Sequence, residues 1–186
     1  MRLALAILLA AASTASAADW TIAQLFDALA RQAPKRAAFQ ERKFLAILDR
    51  PIDSSGELAF TPPDRLEKHT LKPRAESIVA DRKSVTLERG GKRHTLRLDA
   101  NPQVAVVVES IRDTLAGDLR SLTRTYAVAL DGDAARWRLK LRPLDPALGT
   151  LVERVEIGGD GAQVRTVEIF QADGDRSLMT LSPLAK

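Results

Sequence analysis

Residues 55–73 read SGELAFTPPDRLEKHTLKP, and their pattern decides the fold class. From Gly56 to Phe60 small or polar residues alternate with apolar ones, the period of a strand covered on one face. Pro62-Pro63-Asp64 cannot continue a ladder, since proline lacks the backbone donor and Asp favours turns. A second alternating run, Arg65 to Leu71, follows and ends at Pro73. The stretch is therefore a β-hairpin with a proline-stiffened turn.

Strand patterns continue on its C-terminal side. Glu76 to Ala80 is a short strand, Asp81-Arg82-Lys83 a turn, and Ser84 to Arg89 the next strand. Gly90-Gly91 is a two-residue hairpin signal, after which His94 to Asp99 alternates with Leu96 and Leu98 on one face. Asn101-Pro102 then places a helix cap before a first-turn proline. Val104, Val107, Val108, Ile111 and Leu115 recur at helical spacing up to Gly117, and Asp118 recaps a short piece carrying Leu119 and Leu122. From Thr125 the chain is a meander: Tyr126-Val128-Leu130, Trp137-Leu139-Leu141, Leu151 to Ile157, Val164 to Gln171 and Arg176 to Ser182. Asp131-Gly132-Asp133, Gly158 to Gly161 and Asp173-Gly174-Asp175 are its expected turns.

On the N-terminal side, Lys35 to Leu48 is strand-like with apolar residues on both parities, and Asp49-Arg50-Pro51 turns it toward the hairpin. Thr21 and Gln24 form a capping-box pattern, with Ile22, Leu25, Phe26 and Leu29 at helical spacing, so Thr21 to Arg31 is an amphipathic helix ended by Pro34. Arg2, the apolar run Leu3 to Ala12 and the Ala15-Ser16-Ala17 site describe a secretory signal peptide over residues 1–17, leaving one domain over 18–186. That run is shorter than a membrane-spanning helix of about 20 residues.

The sum is a mainly β (α+β) domain: a single curled antiparallel sheet of about eleven strands, with two or three helices. A sheet this large with one apolar face folds into an incomplete barrel. The long mid-chain helix must bury its stripe, and the concave face of the sheet is the place for it.

Composition narrows function. The chain contains no Cys, so it forms no disulfide and carries no lipid-modified cysteine; it is expected to be soluble in the periplasm. Lys and Arg exceed Asp and Glu by 28 to 24 without a dense cluster, and five Phe, two Trp and one Tyr are too few for base-stacking surfaces, so no nucleic acid is expected as partner. Apolar character lies in Leu, Val, Ile and Ala, which hold alkyl chains well. Gly90-Gly91-Lys92 lacks the rest of a phosphate loop. No nucleophile elbow, zinc-protease helix or cysteine nucleophile is present. His69, near Asp64 and Glu67, and His94 sit on different expected strands, and Asp173 and Asp175 are turn formers. Neither an enzyme nor a metal or cofactor is expected.

The order Gly, apolar pair, Pro, apolar residue, alternating strand and closing Pro, with the Glu76 to Asp81 strand behind it, resembles the signature hairpin of the periplasmic outer-membrane lipoprotein carrier (LolA) family. The element order matches over most of the mature chain. The resemblance implies a half-barrel whose concave face binds acyl chains of lipoproteins, or of another lipid, beneath a helical lid. It also implies a monomer that shuttles cargo from an inner-membrane release complex to an outer-membrane acceptor. On this resemblance Leu66 falls where carriers place an inward, lipid-touching aromatic. Leu58, Phe60 and Ile78 neighbour it, and Phe39, Leu96, Val107, Ile111, Trp137 and Leu139 complete the expected lipid-binding set. Two departures stand out. Pro62 occupies the position of the arginine that ties sheet to lid, with Arg65 nearby as the substitute lid contact, and Lys68 replaces an inward aromatic. A different class stays open: a periplasmic interaction or lipid-sensing domain of the same fold that binds a protein partner.

Overall fold

The structure is a computed structural model that describes residues 20–32 and 35–184. The expected signal peptide, residues 1–17, and Pro34 lie outside the described residues.

Eleven strands form one open antiparallel sheet: β1 Lys35–Phe44, β2 Ile52–Thr61, β3 Arg65–Lys72, β4 Glu76–Asp81, β5 Ser84–Arg89, β6 Lys92–Arg97, β7 Tyr126–Asp133, β8 Arg136–Pro143, β9 Val152–Asp160, β10 Gln163–Gln171 and β11 Arg176–Ser182. Their spatial order is β6-β5-β4-β3-β2-β1-β11-β10-β9-β8-β7. Two meanders are thus joined by the pairing of β1 with β11, where Phe39 faces Leu181 and Glu41 faces Met179. The edges are β6 and β7, consecutive strands in sequence at opposite ends of the sheet. The segment between them has to run from one edge to the other, and the curl brings it across the concave face.

That segment carries α2 (Pro102–Ala116) and α3 (Leu119–Thr125). Asn101 occupies the N-cap position of α2, but its side chain donates to the Arg97 carbonyl at 2.7 Å and makes no bond to the helix. Asp118 caps α3 as expected, accepting from the Ser121 amide at 2.9 Å. α1 (Ile22–Ala30) opens with the full Thr21/Gln24 capping box and buries Leu25, Phe26 and Leu29. Asp145 caps a fourth short helix, α4 (Pro146–Gly149), which sequence analysis missed although Asp-Pro repeats the signal of Asn101-Pro102.

Several expected boundaries move. β1 ends at Phe44, four residues early, because Leu45 to Pro51 forms the connection to β2 and leaves Ile47 89% exposed. β2 begins at Ile52, ahead of the hairpin pattern. β6 occupies Lys92–Arg97, and Leu98 packs into the core from the short 3-10 turn that follows. Gly132, Gly158 and Gly159 lie within β7 and β9, so their turns come later than expected. Gly159 is needed for space: a Cβ there would stand 2.5 Å from Cζ2 of Trp137, which lies across the strand.

Two apolar clusters fill the concavity. The larger joins α1, α3 and strands β1 and β7–β11 through Leu25, Phe39, Leu122, Trp137, Leu139 and Ile157. The smaller joins β2–β5 to α2 through Phe60, Leu66, Ala80, Val85, Leu98 and Leu115.

Candidate lipid-binding site

Strand register defines the concave surface. One row runs Lys35, Phe60, Leu66, Ala80, Val85, Leu96, and the next Ala37, Leu58, Lys68, Ile78, Leu87, His94. These are alternate positions on successive strands, so each row projects to one face. The expected residues Leu58, Phe60, Leu66 and Ile78 therefore do converge. Val107 and Ile111 meet them from α2, and Ile111 contacts both clusters. Phe39, Trp137 and Leu139 lie on the same face, fully packed in the larger cluster, where the Trp137 indole donates to the Gly161 carbonyl at 2.9 Å. Leu96 faces the row but sits on the edge strand, 42% exposed and outside both clusters.

The deepest face of α2 is not the stripe read from sequence. Val106, Ser110 and Thr114 are buried, one residue away from the apolar repeat. That face meets helices and sheet alike, since Val106 joins the cluster of Leu25 and Leu122 while Thr114 borders the void over Ile157, Val167 and Leu181, so a single stripe does not capture its burial. The two hydroxyls are accommodated by bonds back to the Val107 and Ser110 carbonyls, at 2.8 and 2.7 Å. The Tyr126 hydroxyl donates to the Val106 carbonyl, tying β7 to the middle of the helix.

Beneath α2, among the described residues, lies a void of about 10 Å³ walled by Leu58, Ile111, Thr114, Leu115, Ile157, Val164, Val167 and Leu181, so the helix fills the concavity. Beside its C-terminal end a cleft of about 280 Å³ opens, with Leu58, Phe60, Leu115, Val164 and Leu181 as its large apolar lining residues. Four of these, all but Phe60, also border the small void, so the cleft leads under the helix.

Besides Tyr126, and Gln103 of α2, which bonds Gln171 of β10 at 2.8 Å, two basic side chains hold α2 to the sheet. Lys35 Nζ donates to the Leu115 carbonyl at 3.0 Å, and Arg112 to the Arg82 carbonyl at 3.2 Å. Arg65, the expected lid contact, does neither. Alternation turns it to the convex face, where it pairs with Glu67 at 2.8 Å and lies 3.9 Å from Asp81. Lys35 was not among the expected site residues, because a lysine at the start of a strand carries no sign of the helix end it will meet. Burial lowers the Lys35 pKa to about 8.

The concave face also holds charge. Lys68 crosses to Glu41, whose side chain is 5% exposed against 16% for the lysine. Glu41 accepts as well from Ser177 Oγ at 2.7 Å and Ser54 Oγ at 3.2 Å, and Lys68 Nζ stands 5.0 Å from the centre of the Phe39 ring. Burial pushes the Glu41 carboxyl up, but the Lys68 and Lys43 charges and the Lys68 and Ser177 hydrogen bonds outweigh it and hold its pKa below the usual value. In register, Lys68 faces Leu58 and Glu41 faces Ser54, so the diagonal between them crosses Gly56, which has no side chain to obstruct it.

On the convex face His69 lies between Glu67, at 3.1 Å, and Ser77, at 3.2 Å. The trio sits on an exposed sheet surface with Glu67 already bound by Arg65, and no described cleft includes it. Among the described residues no group of three His, Cys, Asp or Glu is placed to hold a metal ion. Among the same residues no helix is long and apolar enough to cross a membrane.

A family model described as outer membrane lipoprotein carrier protein LolA-like matches residues 10–186. No curated protein matches the sequence significantly. Similar solved structures include the LolA superfamily protein NE2245 from Nitrosomonas europaea, at 10% identity and TM-score 0.49, covering 89% of this chain and 92% of that one. LprF from Mycobacterium bovis shows 15% identity and TM-score 0.36 over 88% and 94% of the two chains. The Pseudomonas aeruginosa MucA/MucB complex shows 11% identity and TM-score 0.41 over 88% and 56%.

Proposed function

Because the chain belongs to the LolA-like outer membrane lipoprotein carrier family, we propose that it is a periplasmic carrier. Residues 1–17 would direct export and be removed. The mature chain would take the acyl chain of a lipoprotein, or of another lipid, into its concave face and carry it from the inner toward the outer membrane. Lipid donor and acceptor proteins would be its partners, and it would act as a monomer without catalysis.

The observation that carries this reading is the relation of α2 to the cleft. A helix fills the concavity with Val107, Ile111 and Leu115, while a cleft with an apolar lining leads under its C-terminal end. An acyl chain entering there would displace α2 and exchange contacts with Leu58, Phe60, Leu66 and Ile78. Each methylene buried contributes about 0.8 kcal/mol. Lifting the helix opposes that gain, and apparent affinity falls by the fraction of open molecules. The opposition is what allows release.

Ile111→Ala tests the exchange, since Ile111 touches both clusters. The variant is expected to bind N-phenyl-1-naphthylamine, a neutral apolar probe, more tightly than the wild type. Native mass spectrometry of protein from its own periplasm is expected to show bound lipid. A folded Ile111→Ala that binds the probe more weakly, or protein that never carries lipid, would refute the proposal.

A further inference from the structure

The mouth of the cleft is asymmetric in charge. Lys35, Arg36 and Arg165 line it together with Gln32, Gln163 and Ser182, and no carboxylate is among the lining residues. Arg36 and Arg165 have their own acidic partners, Glu57 at 2.9 Å and Asp160 at 2.6 Å. Lys35 differs. It is half-buried, and its one hydrogen bond among the described residues goes to the Leu115 carbonyl. Its ammonium has three donors, so two remain.

A partly buried cation with no counter-ion among the described residues is costly, and a single carbonyl compensates it incompletely. The carbonyl is nonetheless well chosen: Leu115 lies in the last turn of α2, where backbone oxygens lack helical partners and carry partial negative charge. In the closed molecule the helix end therefore stands in for an anion. Phe60 faces Lys35 across the strand pair, and Leu58 faces Ala37, so the floor becomes apolar within one pleat of the ammonium. The arrangement is that of an amphiphile site, with a cation at the mouth and a hydrocarbon lining behind it.

We propose that the cleft selects amphiphiles with an anionic head, a carboxylate or a phosphate, and that Lys35 is the group that recognises it. The inference rests on the proposed lipid-carrying function and adds the class of cargo. It also couples recognition to opening. An anion at the mouth competes with the Leu115 carbonyl for Lys35, and the C-terminal end of α2 loses its bond to β1 as the head arrives. A neutral head offers no such exchange, so its alkyl chain must lift the helix unaided. The lowered pKa of Lys35, about 8, leaves the ammonium predominantly charged at neutral pH.

Displacement of N-phenyl-1-naphthylamine by dodecanoate, dodecyl phosphate and dodecanol tests this in the wild type, Lys35→Met and Lys35→Arg. Met keeps most of the aliphatic stem, and Arg keeps the charge. In the wild type at least one of the two anions is expected to bind about tenfold or more tightly than the alcohol, the scale of a charge-assisted hydrogen bond. Lys35→Met is expected to lose that preference while binding the alcohol no more weakly, and Lys35→Arg to retain it. Preference for one anion alone identifies the head as carboxylate or phosphate. Equal affinities for all three in the wild type, or an undiminished preference in Lys35→Met, would overturn the inference and leave the carrier reading standing. Failure of all three to displace the probe would overturn both. Should Lys35→Met not fold by circular dichroism, the wild-type series with Lys35→Arg decides, since loss of preference in a charge-retaining variant contradicts recognition by the cation.

Discussion

Replacing Lys68 by Met leaves Glu41 in the concave face without its nearest cation. The carboxylate keeps the Ser177 and Ser54 hydroxyls, and Lys43 Nζ stands 3.9 Å away. Removing one member of a buried ion pair costs about 3–5 kcal/mol, and those remaining donors place the expected loss near the lower end, about 3 kcal/mol at neutral pH. For a chain of this length that corresponds to a fall of roughly 6–12 °C in Tm. Glu41→Gln/Lys68→Met removes both charges and is expected to recover to within about 1 kcal/mol of the wild type. The pH dependence carries its own sign. In the wild type the Glu41 pKa lies below 4.5, so its contribution is present above that value and is lost as pH falls through the folded pKa. In Lys68→Met the lowering by Lys68 is lost while burial still raises the carboxyl, so the folded pKa moves up from its wild-type position and the ionised acid contributes less stability at high pH. The gap between the two proteins should therefore narrow from pH 7.5 toward pH 4. Urea unfolding followed by circular dichroism at several pH values measures it. A loss under about 1 kcal/mol at pH 7.5, or a gap that does not vary with pH, would refute the view that this pair is a buried, mutually dependent unit.

Gly56→Ala is expected to destabilise by about 3 kcal/mol, because its Cβ would stand 1.9 Å from the His69 carbonyl oxygen and backbone has to move; a change under about 1 kcal/mol by urea unfolding would contradict the close approach of β2 and β3. Asp118→Ala removes the cap of α3 and is expected to cost about 1 kcal/mol, whereas Asn101→Ala, whose side chain makes no bond to α2, is expected to cost less; the same assay checks the order.

Local patterns in the sequence are enough for the strands, for α1 to α3 and for the apolar character of the inner surface, though not for α4. Alternation in Trp137-Leu139-Leu141, the Thr21/Gln24 capping box and the Asp118 cap are local signals, and local signals survive into the structure because strand and helix periods act on neighbouring residues. The hairpin at Gly56 to Leu71 carried the family likeness for the same reason. Where turns were placed by glycine, the reading slipped: Gly132, Gly158 and Gly159 stay within strands, and Gly159 is small because Trp137 passes over it from another strand. The burial of α2 slipped too, since Ser110 and Thr114 are interior in a helix packed against α1 and α3 as well as against the sheet.

Tertiary structure alone decided the pairings between distant parts of the chain. β1 meets β11, and this sets the two edges that α2 and α3 must bridge. Arg65 was the expected lid contact, yet the two-residue period of its strand faces it outward to Glu67 and Asp81. Lys35, at the first inward position of β1, reaches the helix end instead. Glu41 and Lys68 become partners only because β2 between them presents Gly56 on the line that joins them. Ion pairs and helix-end contacts depend on the relative positions of elements many residues apart, and periodicity, which orders residues within one element, does not specify that.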